Sequence, residues 1–274
     1  MLKSRLITAL ILGGVFLGAL FFLPNLAWAL FLLAFILVGA WEWGGLVGYQ
    51  RGGKVAFLIS VAVFAALLLP GMPGMMVWST RISALLLLSA TLFWAVLMPL
   101  WLAHGWRIAG GHSRPLVVGW LLLLPPWVAL VNLRHIGPQV VLAVMLTVTL
   151  ADSAAYLFGK CFGKHKLAPQ ISPGKTWEGL LGALAAVLLV ASVLCVWLGW
   201  NPWLIVGFLV IAVLSVMGDL FESLAKRQAG MKDSGSILPG HGGVLDRVDG
   251  LISTLPLVAF YAYLPFYLGV LVAR

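Results

Sequence analysis

Long continuous apolar runs recur through this chain of 274 residues, near 6–23, 26–48, 55–70, 81–104, 116–134, 138–158, 178–199, 203–222 and 249–272. A hydrocarbon layer about 30 Å thick needs roughly 20 apolar residues per helical crossing, and about nine segments come near that length. A backbone in lipid must satisfy its own hydrogen bonds, and the runs lack the alternation of barrel strands, so each is read as a helix. With 62% hydrophobic and 9% charged residues and a mean hydropathy of +1.09, the chain is expected to be all-α, a polytopic membrane helical bundle. The Pro125-Pro126 pair is read as a break in the fifth run.

No internal repeat, low-complexity tract or soluble domain is evident, so residues 1–274 are expected to form a single integral membrane domain. Lys3 and Arg5 before an apolar stretch, with Ala27-Trp28-Ala29 after it, have the outline of a signal peptide. The run exceeds the roughly 7 to 15 residues of a signal core and leads straight into another, so it is read as a span. Cys161 and Cys195 are too few and too far apart for a disulfide framework or a metal site.

Orientation follows from Lys and Arg in alternate loops. An N-terminus inside puts Lys3, Arg5, Arg51, Lys54, Arg107, Arg114, Lys160, Lys164, Lys166, Lys175, Lys226, Arg227, Lys232 and Arg247 on the cytoplasmic side, leaving Arg81, Arg134 and Arg274 opposite. That asymmetry predicts a cytoplasmic N-terminus and an external C-terminus. The carboxylates, not used in that count, fall on the same side. Glu42 and Asp152 lie late in their spans, Glu178 begins one, and Asp219, Glu222, Asp233, Asp246 and Asp249 crowd into residues 219–249.

Asp246 and Asp249 are three apart and share a face if the last helix begins there. Like charges so placed repel unless a cation sits between them. Asp219, with Ser223 one turn on, is placed to complete an oxygen-only pocket, which suits Mg2+ rather than zinc or copper. The same carboxylates can instead pair with Lys226, Arg227, Lys232 and Arg247, and spacing alone leaves both readings open. Glu222 and Lys226 make an ordinary i, i+4 pair, so Glu222 is left out of the metal set.

Residues 232–249 read KDSGSILPGHGGVLDRVD, and Gly235, Pro239, Gly240, Gly242 and Gly243 forbid a simple continuous helix. Such a loop brings backbone N–H groups close to an anion, although a plain turn between spans is the simpler reading of PGHGG alone. Ser172 to Gly179 contains Gly174-Lys175-Thr176, but Pro169 stands where a Walker A loop needs Gly. Lys175 is nonetheless placed at a helix N-terminus, a natural phosphate seat. Lys160, Lys164 and Lys166 are read as topogenic charges attracted to anionic lipid, with no catalytic part and no nucleic-acid partner expected.

The run from Ser223 to Asp249 resembles the signature of the phosphatidate cytidylyltransferases, the CDP-diacylglycerol synthases. The match passes through Ser223, Lys226-Arg227, Lys232-Asp233, Pro239, His241-Gly242-Gly243, Asp246-Arg247 and Asp249. Ala225 departs from it, where the family commonly has a larger apolar residue. Ala151-Asp152-Ser153 through Gly159-Lys160, and Ser172 to Gly179, are similar to the same family. The resemblance covers roughly the C-terminal half, so 136–274 is expected to be the catalytic half and 1–135 to supply helices of no assigned role.

The resemblance implies transfer of the cytidylyl group of CTP to phosphatidic acid, giving CDP-diacylglycerol and pyrophosphate, in a bacterial inner membrane with the site facing the cytoplasm. Two Mg2+ ions and a homodimer are also what it suggests. On that basis Asp219, Asp246 and Asp249 are the expected metal ligands. Lys226, Arg227, Lys232, Arg247 and Lys175 are expected to neutralise phosphates, with Ser223, Asp233, Gly242 and Gly243 completing the substrate site. A phosphate monoester is largely ionised near neutral pH, so His241 is expected to donate a hydrogen bond rather than act as a base. Asp152 is assigned no definite role.

An ion-coupled transporter is the alternative, but it usually places carboxylates near the midplane of repeated halves. A CDP-alcohol phosphotransferase core is absent, because Asp249-Gly250 is followed by Leu251-Ile252-Ser253-Thr254. A structural or assembly protein would keep its role without Asp246.

Overall fold

Each apolar run is helical in the computed structural model, which describes residues 2–69, 76–108, 113–237 and 242–272. The helices are α1 (Leu2–Phe22), α2 (Asn25–Leu46), α3 (Arg51–Leu68), α4 (Met76–Leu92), α5 (Met98–His104), α6 (Ser113–Ile136), α7 (Pro138–Phe162), α8 (Trp177–Leu198), α9 (Trp203–Gln228) and α10 (Leu245–Val272). A π-helical turn, Phe93–Leu97, joins α4 to α5, so Thr80–His104 is one crossing. Eight helices among the described residues are long and apolar enough to cross a membrane, and α1 contributes a shorter apolar stretch, Leu10–Phe22. The last helix starts at Leu245, four residues before the start read from hydropathy, because Asp246 and Asp249 lower the average over its first turns. The architecture is an all-α polytopic membrane bundle.

α6 lies at the centre: 67% of its apolar window is buried, against 17% for α3 at the periphery. It runs unbroken through Pro125 and Pro126, both buried, where the sequence pointed to a break. Neighbouring helices tolerate prolines by surrounding the backbone groups they leave bare. Indole N–H groups need acceptors in an apolar interior, and three of them set the antiparallel register of α2 and α6. Trp43 donates to the Pro115 carbonyl and Trp127 to the Ala29 carbonyl, both at 2.9 Å, while Trp28 reaches the Leu130 carbonyl at 3.4 Å.

Two features set the roll and approach of α9, which carries two of the acidic residues singled out above, Asp219 and Glu222. On one side Phe221 packs into an aromatic box with Trp43, Phe93, Trp94 and Trp101, the nearest ring centroid 5.8 Å away. The π-helical turn allows both Phe93 and Trp94, adjacent in sequence, to be buried in it. On the other side Gly218 lies against α10, where a Cβ would meet the Asp249 carbonyl oxygen and, at 2.6 Å, the Ser253 Oγ. The Ser253 hydroxyl donates to the Leu214 carbonyl at 2.7 Å, tying the two helices together. Small residues permit such close helix approach in membranes. Gly218→Ala is therefore expected to destabilise the protein by about 1–3 kcal/mol by forcing α9 and α10 apart, measurable as a lowered thermal midpoint in detergent.

The polar segment between α7 and α8, read from sequence as a loop, is a short antiparallel hairpin of β1 (Lys166–Ala168) and β2 (Ser172–Thr176). Thr176 caps α8 by accepting from the Gly179 N–H at 3.1 Å. Glu178 clasps the hairpin base, accepting from the Lys164 and His165 N–H groups at 3.1 and 3.2 Å and contacting His165 Nδ1 at 2.6 Å.

Candidate active site

The hairpin, the C-terminal parts of α7 and α9 and the starts of α8 and α10 surround a cavity of about 510 Å³. Asp152, Lys175, Asp219, Asp246 and Asp249 all line it. Tyr156 and Lys160 line it too, with the Lys160 ammonium 5.9 Å from the Tyr156 ring centre. A lysine read from sequence as purely topogenic thus faces the same chamber as the carboxylates. The sequence signal for this was its place one turn after Tyr156 on a helix that also carries Asp152.

On α9, Asp219, Glu222, Ser223 and Lys226 recur at the spacing of one helical face. Lys175, brought in by β2 from 44 residues away, pairs with Asp219 Oδ2 at 2.7 Å and donates to the Val216 carbonyl at 3.3 Å. Ser223 Oγ donates to Asp219 Oδ1 at 3.3 Å. Lys226 bridges two helices, contacting Glu222 Oε2 at 2.8 Å and Asp246 Oδ1 at 2.7 Å. These three side chains are only 15, 10 and 5% exposed respectively. The i, i+4 pair expected from sequence is present, and it is half of a buried triad.

Asp246 Oδ2 accepts from the Ser234 N–H, the Ser234 hydroxyl and the Gly243 N–H at 2.9, 3.0 and 2.8 Å. Gly242 adopts a left-handed φ of 80°, and a Cβ there would lie 2.8 Å from Asp246 Oδ2, so the chain closes over the carboxylate only with glycine. Asp249 has no ion pair among the described residues; its Oδ1 accepts from the Gly250 N–H at 2.8 Å.

Asp219, Glu222 and Asp249 each offer a carboxylate oxygen, all within 4.8 Å of one another. Glu222 Oε1 is buried with no hydrogen-bond partner among the described residues, an oxygen available to a cation. An all-oxygen set fits a hard divalent cation such as Mg2+. The grouping differs from the sequence expectation in one member. Glu222, set aside because Lys226 accounted for it, lies with Asp219 and Asp249, whereas Asp246 is engaged by Lys226 and two backbone N–H groups. Asp246 keeps its place in the cavity wall with Asp219 and Asp249.

Arg227, Lys232, Asp233 and Arg247 are exposed and do not line the cavity. His241, like Pro239 and Gly240, lies outside the described residues. Glu42, which the sequence placed late in its span without a role, is buried and accepts from the Val244 and Leu245 N–H groups at the start of α10. Its partners are backbone groups some two hundred residues away, so only its isolation in an apolar run marked it.

The family model described as the cytidylyltransferase family matches residues 3–265. The phosphatidate cytidylyltransferase of Pseudomonas aeruginosa is 43% identical over 270 residues, spanning 94% of this chain and 96% of that protein. That of Haemophilus influenzae is 33% identical over 291 residues, spanning 97% and 99%. That of Staphylococcus aureus is 48% identical over 128 residues, covering 46% of this chain and 49% of that protein.

Proposed function

Since this chain belongs to the phosphatidate cytidylyltransferase family, we propose that it transfers the cytidylyl group of CTP to phosphatidic acid, in the cavity between the hairpin and α7 to α10. An oxygen of the lipid phosphate attacks the α-phosphorus of CTP in line. The bond from that phosphorus to the β-phosphate oxygen breaks, leaving CDP-diacylglycerol and pyrophosphate. The observation that supports this site most is the meeting of Lys175, Asp219, Asp246 and Asp249, from three separate segments, around one chamber.

Two highly negative substrates must be held together while charge grows on the departing pyrophosphate, so the work is positioning and charge stabilisation. Asp219, Asp246 and Asp249 would hold Mg2+, two ions in keeping with the family resemblance, with Glu222 close enough to join Asp219 and Asp249. When bound, the metal supplies positive charge to the phosphates and the leaving group. Lys175 and Lys226 hold the carboxylates in register. Lys175, in the cavity wall, is also placed to meet a phosphate, and Arg227, Lys232 and Arg247 add positive charge near the signature loop. Ser223 orients Asp219. Lys160, beside Tyr156, faces the same chamber and suits the acidic head of the lipid substrate.

In this reading α1 is a ninth crossing, the N-terminus is cytoplasmic, and the site faces the cytoplasm of a bacterial inner membrane, where CTP is available. Residues 1–274 act as one membrane domain, with 136–274 carrying the chemistry, and the working unit is a homodimer. Cys161 is exposed at the site end of α7 and Cys195 is buried. A membrane-impermeant maleimide is expected to label Cys161 in inside-out vesicles and to leave it unlabelled in intact spheroplasts; the reverse pattern would contradict the orientation. The reaction itself is tested by pyrophosphate release, which must require CTP and phosphatidic acid together. Release from CTP alone, or none with both present, would contradict the assignment.

A further inference from the structure

Glu42 is the only carboxylate before residue 152, and at 3% exposed it is deeply buried on α2. Its Oε1 accepts from the Val244 N–H and its Oε2 from the Leu245 N–H, both at 2.9 Å. These are N–H groups at the start of α10, which have no carbonyl of their own helix to bond. A carboxylate there also meets the positive end of the helix dipole.

The Ser234 hydroxyl, itself buried, lies 3.2 Å from Glu42 Oε2 and 3.0 Å from Asp246 Oδ2, so its one proton serves either carboxylate. The chain closes tightly on this contact. A Cβ at Gly235 would stand 2.5 Å from Glu42 Oε1, and one at Gly243 would stand 2.6 Å from the same atom. A continuous polar path therefore runs from α2 through Glu42, Ser234, Asp246 and Lys226 to Glu222 on α9.

We propose that Glu42 is a positioning residue for the transfer reaction, an inference that rests on the function proposed above. By capping α10 it fixes the turn that carries Asp246 and Asp249, and through Ser234 it fixes the Asp246 carboxylate. The N-terminal helices thus take part in the site by holding its geometry. Glu42 touches neither substrate.

Glu42→Gln keeps the shape but turns an amide NH2 toward one of the two capping N–H groups. In purified full-length protein in lipid nanodiscs, Mn2+ affinity read by electron paramagnetic resonance is expected to weaken by about 10–100-fold, the usual effect of losing a residue behind a metal ligand. The Mg2+ concentration for half-maximal rate should rise in step, with KM for phosphatidic acid unchanged. Ser234→Ala leaves both caps in place and should produce a smaller shift in the same direction. The double variant should lose less than the product of the two single losses, because part of the Glu42 effect passes through the same hydroxyl.

A purely structural role would lower the active fraction without moving Mn2+ affinity, and that result would overturn the proposal. Should Glu42→Gln fail to assemble, an unchanged Mn2+ affinity in Ser234→Ala would overturn it alone. A wild type that makes no product would sink the assigned reaction, whereas an active wild type with unaltered variants would sink only the role of Glu42.

Discussion

Asp249→Asn is expected to lower CDP-diacylglycerol formation by about 10³-fold or more while leaving the thermal midpoint unchanged or raised. The argument rests on how little of this carboxylate the protein itself uses. Among the described residues Asp249 makes no ion pair, and its one hydrogen bond comes from its own neighbour, the Gly250 N–H. It nevertheless lies within 4.8 Å of oxygens of Asp219 and Glu222. Three carboxylates so close repel one another, so removing one charge relieves the resting protein. In the proposed mechanism the same removal would take a ligand from the cation, and a contribution of about 4 kcal/mol to the transition state corresponds to about 10³ in rate. Opposite signs for stability and activity separate a functional carboxylate from a structural one. Activity close to wild type, or a clear loss of stability, would count against this role.

Lys226→Met should act in the other sense, destabilising the fold and abolishing activity together. The Lys226 ammonium is held by Glu222 at 2.8 Å and Asp246 at 2.7 Å, with all three side chains largely buried. Breaking a buried ion pair by deleting one partner costs about 3–5 kcal/mol, because the remaining charge has no compensation. Here two carboxylates would face each other across α9 and α10. Adding Glu222→Gln to Lys226→Met should therefore recover part of the lost stability, and the non-additivity measures the coupling. Activity should not return, since Asp246 would still lack its cation. A thermal midpoint equal to wild type in the single variant would contradict the buried triad.

Much of this arrangement was legible in the sequence, for reasons that differ by element. The membrane bundle follows from composition and run length, because lipid leaves a polypeptide few alternatives. Asp219, Asp246 and Asp249 stood out because a charge in an apolar chain is costly and their spacing placed two of them on one helical face. Contacts between distant segments were not legible. Nothing in the local pattern pairs Lys175 with Asp219, or directs Glu42 to the start of α10. Glu222 was hidden by a sufficient local explanation: Lys226 one turn away accounted for one carboxylate oxygen and drew attention from the other, which is buried with no partner among the described residues. Pro125-Pro126 misled for a related reason, since the cost of proline in a helix depends on neighbours that the sequence does not show. The hairpin before α8 went unread because its strands are only three and five residues long and the second carries Pro173 and Gly174.

The most direct test is conversion of labelled CTP and phosphatidic acid to CDP-diacylglycerol by the purified, lipid-reconstituted protein with Mg2+, beside Asp219→Asn and an EDTA control. The arrangement of Lys175, Asp219, Asp246 and Asp249 around one cavity predicts product from the wild type that is lost in both controls and restored to the EDTA sample by excess Mg2+. Product persisting in EDTA or in Asp219→Asn would contradict a metal-dependent site built on that carboxylate. A folded wild type that forms no product and binds neither CTP nor Mg2+ would contradict the assignment altogether and turn attention to ion-coupled transport.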